Sequence, residues 1–186
     1  MKSKKLFLIL TLLFSFSCGG DKDSNNPPVP EVSAPPTEAE TKDPLKYVKL
    51  MSPSGDVIET SIAYTSEDQQ KGLQNVRPED FRDNEGKLFF YLTTSSRTFW
   101  MPNTYFNLDI FYLDEDLNII DVVWNIEHYT GNEDSEIPRA PRISSRHVLE
   151  MKSGSPISSR LKVGDRLGWN SPLSLQQTES KIRQRL

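Results

Sequence analysis

From about residue 45 onward, short apolar runs alternate with turn residues, and this pattern predicts a domain rich in β-strands. Clusters of Gly, Pro, Asn and Asp separate the runs. The predicted strands cover residues 47–50, 57–63, 87–92, 98–101, 107–113, 117–126, 147–151 and 166–169. Short strands at this spacing predict a mainly β (α+β) fold, a small barrel-like or rolled antiparallel sheet with one or two short helices.

Helical signals are few. Thr65 is a suitable N-cap before a polar run, which predicts a helix from Ser66 to about Leu73. Single helical turns are predicted at 78–81 and 157–161. Residues 127–145 contain few apolar side chains and are predicted to form a long loop.

The N-terminus has the pattern of an export signal. Basic residues are followed by an apolar run of eleven residues, Leu6 to Phe16, and then by small residues. A run of this length is much shorter than the roughly 20 residues that span a bilayer. We therefore expect residues 1–17 to be a signal peptide of the lipoprotein type.

Cys18 is the only cysteine of the chain, and an unpaired thiol in an exported protein needs an explanation. The stretch Ser15-Phe16-Ser17-Cys18 resembles the lipobox of bacterial lipoproteins, although Leu is usual where Ser15 stands. The resemblance implies lipid attachment at Cys18 and a membrane partner through that lipid. The expected location is the cell envelope, at the periplasmic face or the outer membrane.

Composition divides the rest of the chain. Residues 18–44 are rich in Pro, Ser, Thr, Asp and Glu, which predicts a disordered tether. Residues 45–169 form the predicted globular domain, and residues 170–186 are a polar tail that could be a short helix or frayed. The net charge of −4 becomes −7 when Lys2, Lys4 and Lys5 are removed with the signal. A chain this acidic is not expected to bind nucleic acid.

Neither a metal site nor a cofactor is predicted. The two histidines, His128 and His147, form no H-x-x-x-H pair, and the sequence has no C-x-x-C pair. It also has no G-x-S-x-G nucleophile motif and no glycine-rich phosphate loop. Three carboxylates in or beside apolar stretches, Asp109, Glu150 and Asp165, could act as acid or base, or could accept backbone hydrogen bonds in a structural role.

Polar residues within the stretch FWMPNTYFNLDIFY, residues 99–112, form the main candidate ligand site. Strand alternation places Leu108, Ile110 and Tyr112 on one face and Asp109 with Phe111 and Leu113 on the other. An unpaired charge at Asp109 would be costly, so it should contact Asn103, Thr104 or backbone N–H groups. The candidate ligand-binding residues are Trp100, Met101, Asn103, Thr104, Asp109, Glu150 and Asp165.

Several short stretches resemble the bacterial and archaeal family called domain of unknown function 192. They are Gly72-Leu73, Gly86-Lys87-Leu88-Phe89, Phe99 to Thr104, Leu108-Asp109-Ile110, Val148-Leu149-Glu150 and Gly164-Asp165. The resemblance covers residues 47–169 and implies a compact, mainly β-barrel-like domain in a family that is largely exported or lipid-anchored. Its biochemical activity is not established.

This chain departs from the family pattern at two motif positions. Gln74 stands where the family's GLM box has methionine, and Lys87 stands where its GMLF box has methionine. An arginine commonly precedes the GLM box, and Gln70 or Lys71 stands near that place. A family site formed by these residues would be altered here.

Three functions fit these observations. The leading hypothesis is a lipid-anchored envelope protein whose β-domain binds a small ligand, a glycan or a protein partner without catalysis. A hydrolase or transferase that uses Asp109 or Glu150 as a base is the alternative, and a purely structural module is the third. A cleft that exposes Trp100 and Asp109 would favour binding, whereas burial of both with paired polar atoms would favour structure.

Overall fold

The computed structural model describes residues 42–131 and 133–186. The predicted signal peptide, Cys18 and nearly all of the predicted tether lie outside the described residues. Within the described residues, nine strands and two α-helices form the fold. They are β1 (Tyr47–Met51), β2 (Val57–Ala63), α1 (Ser66–Lys71), β3 (Glu85–Phe89), β4 (Ser95–Arg97), β5 (Leu108–Leu113), β6 (Ile119–Ile126), β7 (Ile143–Ser145), β8 (His147–Lys152), β9 (Gly168–Asn170) and α2 (Leu175–Arg185).

One seven-stranded sheet dominates, in the order β6-β5-β8-β3-β2-β1-β9, and β4 pairs with β7 in a second, two-stranded sheet. The mainly β prediction is confirmed. Within the described residues the sheet is mostly antiparallel and is not closed into a barrel. Strands β2 and β3 are parallel, β6 and β9 end the strand order, and an isolated bridge pairs Asn118, just before β6, with Arg166, before β9. A crossover that contains α1 joins β2 to β3, as a parallel pair requires.

Each face of the large sheet carries its own apolar core. Strand β5 supplies both, since Leu108, Ile110 and Tyr112 lie in one core and Phe111 and Leu113 in the other. The alternation predicted from the sequence is therefore confirmed. We call the Leu108 side the upper face and the Phe111 side the lower face.

Two local predictions differ from the structure. No strand forms at 98–101, where Trp100 makes only an isolated bridge with Arg139. The predicted loop at 127–145 contains β7, which pairs with β4. Pro102 has no N–H group to donate to a ladder, so the chain after Trp100 leaves the sheet and is held by loop contacts instead.

The C-terminal segment is ordered into helix α2. Ser174 caps the helix together with Gln177 in a reciprocal capping box. Ile182 is completely buried in the core of the lower face. Of the two alternatives left open for this tail, the structure contains the helix.

Candidate functional site

A small cavity opens on the upper face of the sheet, between α1 and the loop that carries Trp100. Its volume is about 30 Å³. The lining residues are Gln69, Gln70, Lys71, Gly72, Leu73, Gln74, Phe89, Phe99, Trp100, Met101, Thr104, Leu108 and Glu150. We call it the Trp100 cavity. It has room for a group of a few heavy atoms, and its wall is formed by both apolar and polar side chains.

Glu150 is the acidic group of this cavity. On β8 it is paired with Ile110 of β5 and with Lys87 of β3, so its side chain lies on the upper face. The residue is 4% exposed, and its Oε2 has no hydrogen-bond partner among the described residues. Burial raises the pKa of Glu150 to about 8, and the charge of Lys87 opposes that rise. The side chain is therefore mostly protonated at neutral pH and can donate a hydrogen bond.

Lys87 accompanies Glu150 on the neighbouring strand. Burial lowers the pKa of Lys87, while Glu150 acts to raise it. The two groups are cross-strand neighbours, yet the described contacts contain no ion pair between them. A buried carboxyl group and a half-buried lysine thus lie on neighbouring strands of the upper face.

The mouth of the cavity is formed by Trp100, which is 45% exposed. The loop around it is held by residues 138–140. Met101 N donates to Pro138 O at 3.2 Å, Ala140 N donates to Phe99 O at 2.8 Å, and the Arg139 guanidinium lies 5.2 Å from the centre of the Trp100 ring. The indole is therefore held in position at the surface.

Helix α1 forms the opposite wall. Thr65 caps its N-terminus by accepting a hydrogen bond from Asp68 N. The Gln69 side chain donates to Phe90 O at 3.1 Å and ties the helix to the end of β3. Gly72 ends the helix at φ 49°, and a Cβ there would lie 3.4 Å from the Phe89 ring. A side chain at position 72 would meet backbone strain and crowd this wall.

A wider groove runs over the upper face of β1, β2 and β3 and meets the cavity at Leu73, which lines both. Its volume is about 1110 Å³. The sheet residues that line it include Tyr47, Lys49, Glu59, Ser61 and Lys87. Asn170 at the end of β9 and Ser171 and Pro172 after it complete this side. We call it the β1–β3 groove. Tyr47 is 45% exposed and offers a second aromatic surface.

Asp109 lies on the lower face, away from the cavity. It is buried as predicted, but the predicted contact with Asn103 and Thr104 is wrong. Its carboxylate accepts a hydrogen bond from Asn125 N at 2.8 Å and another from the Ser158 hydroxyl. The backbone N–H alternative was correct, and the residue acts as a structural acceptor between β6 and the helical turn at Ser158–Arg160.

Of the other predicted site residues, four line the cavity and two lie outside its lining. Trp100, Met101, Thr104 and Glu150 line the cavity. Asn103 is exposed at φ 48° and its carbonyl accepts from Asn75 N, so it shapes the bend below the mouth. Asp165 accepts from Lys162 N in a surface turn and lies outside the lining.

Sequence reasoning missed the contribution of α1 and of Lys87 to this site. A signal was present, however, because the positions that depart from the family pattern are those same residues. Gln70, Lys71 and Gln74 line the cavity, and Lys87 lies beside Glu150. This chain therefore has a more polar site than the family motif implies.

Within residues 42–131 and 133–186, no cluster of three or more His, Cys, Asp and Glu side chains is placed to hold a metal ion. Over the same residues, none of the helices has the length and apolar character needed to cross a membrane.

Comparison with known proteins gives a family and two related structures. The model of the family DUF192, described as "Uncharacterized ACR", matches residues 49–169. A crystal structure of a "putative transcription regulator" from Sinorhizobium meliloti 1021 is 25% identical, with a TM-score of 0.54, and the match covers 66% of this chain and 92% of that one. A protein of unknown function from Novosphingobium aromaticivorans is 29% identical, also with a TM-score of 0.54, over 66% and 84% of the two chains. Curated proteins provide no match.

The motif stretches that carry the family resemblance contribute residues near the cavity, except Gly164-Asp165, which lies outside its lining. Gly72 and Leu73 form part of one wall, Phe89 and the Phe99 to Met101 stretch form others, and Glu150 ends the VLE stretch. These stretches are far apart in sequence and come together only in the folded sheet.

Proposed function

The chain belongs to the family of domain of unknown function 192, and from its own geometry we propose that the domain is a non-catalytic module that binds a glycan at the Trp100 cavity. The observation that carries this proposal is the pairing of an exposed indole with a buried polar group that lacks a partner. Trp100 is 45% exposed at the mouth, and Glu150 Oε2 inside has no hydrogen-bond partner among the described residues. Binding sites commonly combine an aromatic surface with a few fixed polar groups.

The β1–β3 groove supports a glycan over a smaller solute. It continues from the cavity at Leu73 and has room for several sugar rings. The exposed rings of Tyr47 and Trp100 offer flat apolar surfaces for sugar faces, while Lys49, Glu59 and Ser61 offer polar groups for hydroxyls. A mixture of aromatic and polar groups along an open groove suits a ligand that has both kinds of surface.

A hydrolytic function has less support. Glycoside hydrolysis usually needs two carboxyl groups around one bond, about 5 to 10 Å apart. Among the described residues that line the cavity, Glu150 is the one carboxylic acid, and Asp109 lies on the opposite face of the sheet. Binding requires only the groups that are already gathered there.

We further propose that the domain is held at the cell envelope through a lipid on Cys18. The basic and apolar N-terminus and the position of the cysteine support this. Radioactive palmitate should label the wild-type chain in cells and leave Cys18→Ala unlabelled. Equal labelling of the two chains would contradict the anchor.

Glycan binding is tested by calorimetric titration of the full-length chain with chitotetraose and with a muramidase digest of peptidoglycan. Saturable binding of at least one of them is expected, with affinity at least tenfold weaker in Trp100→Ala. The matched control is Trp124→Ala, because Trp124 is similarly exposed, at 49%, on β6 and lines neither the cavity nor the groove. The absence of binding, or equal losses in both tryptophan variants, would refute glycan recognition at this cavity.

A further inference from the structure

The Trp100 cavity is much smaller than the β1–β3 groove that leads to it. At about 30 Å³ it cannot take a whole sugar ring, which must remain outside against the indole. Only a substituent of the ring can enter. The groups inside the cavity therefore select the substituent, and the groove accommodates the chain that carries it.

About half of the accessible wall of the cavity is apolar. Leu73, Phe89, Phe99, Met101 and Leu108 supply hydrocarbon or aromatic surface. A substituent that fills it favourably must present at least one apolar carbon, since burying apolar surface is the main favourable contribution available there. A free hydroxyl or a free ammonium group does not meet this requirement.

The polar side of the cavity includes Glu150, which is buried with an unpartnered oxygen. The other polar lining residues are Gln69, Gln70, Lys71, Gln74 and Thr104. A protonated carboxyl donates a hydrogen bond, so an entering carbonyl oxygen can accept from Glu150. A cationic substituent would be repelled by Lys71 of α1, which lines the cavity.

We infer that the Trp100 cavity takes the acetamido group of an N-acetylated sugar, with its methyl group against the apolar wall and its carbonyl oxygen accepting a hydrogen bond from Glu150. This assignment rests on the glycan binding proposed above and adds the substituent that is recognised. The same acetamido group occurs on acetylated lysine. The long groove and the exposed rings of Tyr47 and Trp100 favour the sugar.

The protonation of Glu150 makes this recognition dependent on pH. Burial raises the pKa of Glu150 to about 8, and the titratable groups around it are Lys87 on β3, Tyr91 after β3, Tyr112 on β5 and Lys71 on α1. Above that pH the ionised carboxylate no longer donates to a carbonyl. The affinity for an acetamido ligand should therefore fall as the pH rises from 7 to 9.

The deciding experiment compares three tetrasaccharides by calorimetric titration of the full-length chain at pH 7. Chitotetraose carries acetamido groups, its deacetylated form carries amines, and cellotetraose carries hydroxyls on the same backbone. Binding of chitotetraose at least tenfold tighter than either of the others is expected. Similar affinity for all three would overturn the acetamido assignment and leave glycan binding standing, whereas no binding of any would overturn both.

Two variants and one peptide make the test specific. Glu150→Gln keeps a hydrogen-bond donor that does not titrate. It should retain the preference for chitotetraose over the other two sugars and lose the decline in affinity between pH 7 and 9. Glu150→Leu should reduce that preference to less than threefold. Tighter binding of a peptide with N-ε-acetyl-lysine than of chitotetraose would assign the cavity to a protein partner and overturn the sugar assignment.

Discussion

Glu150 of β8 and Lys87 of β3 face each other across two paired strands, and burial shifts the pKa of each towards its neutral form. Each side chain also favours the charged form of the other, because opposite charges attract. Burial dominates for Glu150, whose pKa rises to about 8. This acid is consequently the group of the cavity whose state changes near physiological pH.

The first prediction concerns Glu150 and stability at rising pH. Its folded-state pKa lies above the ordinary value of 4.5, so the folded chain holds a proton that the unfolded chain loses. The contribution of Glu150 to the free energy of unfolding should therefore fall between about pH 4.5 and 8, by at most about 1.4 kcal/mol per pH unit, and it should show as a net decline of the wild type above about pH 6.5, where the opposing effect of His147 has ended. Glu150→Gln should remove this decline in urea-unfolding measurements, with the two chains compared at pH 4 as reference. An unchanged slope in the variant would contradict it.

His147 should have the opposite effect. Burial, with the nearby charges of Arg146 and Arg97, lowers the pKa of His147 to about 3, and its Nδ1 accepts a hydrogen bond from Tyr91 N at 3.3 Å. As the pH falls, His147 is therefore protonated in the unfolded chain before it is protonated in the folded chain. The free energy of unfolding then falls as the pH drops from about 6.5 towards 3.

The check is urea unfolding of His147→Gln and wild type between pH 4 and 7. The variant is expected to be less stable at pH 7 because packing around position 147 is lost. The quantity to compare is therefore the slope of the free energy of unfolding against pH. Wild type should be nearly flat between pH 4.5 and 6.5, where the two opposing effects cancel. His147→Gln should instead lose stability as the pH rises through this window. Parallel profiles for the two chains would be the opposite result.

Asp109 is predicted to act as a structural acceptor. Asp109→Ala leaves Asn125 N and the Ser158 hydroxyl without their acceptor, and should cost about 3 kcal/mol or more in the free energy of unfolding. Ser158→Ala should cost about 1–2 kcal/mol. Asp121→Ala is the control, since this exposed residue of β6 accepts only from the backbone of Val122, and it should change stability by less than about 0.5 kcal/mol. If all three variants had equal stability, the structural role would be wrong.

Helix α2 is predicted to be part of the stable domain. Ile182 is fully buried, so Ile182→Ala should cost about 2–4 kcal/mol in the free energy of unfolding. Lys181→Ala on the exposed side of the same helix should have little effect. Thermal unfolding of both variants and of the wild type checks this, and similar melting temperatures would show that α2 contributes little.

The sequence by itself determined the local features of this protein. Alternation within residues 108–113 gave the two faces of β5, including the burial of Asp109, because strand periodicity depends only on neighbouring residues. Sequence reasoning also named Trp100, Met101, Thr104 and Glu150 as candidates, and these four residues line the cavity. It failed at 98–101, where a strand-like pattern lies in a loop held by Arg139.

Only the tertiary structure decided which groups meet. Asp109 is held by Ser158, 49 residues away in sequence, and not by the adjacent Asn103 and Thr104. Glu150 is joined by Lys87 because β8 pairs with β3, and the parallel crossover after β2 brings α1 over both. Strand order depends on long-range pairing and on how the two faces of the sheet are covered, and local periodicity encodes neither. The sequence therefore supplied the residues, and the pairing of the strands brought them together.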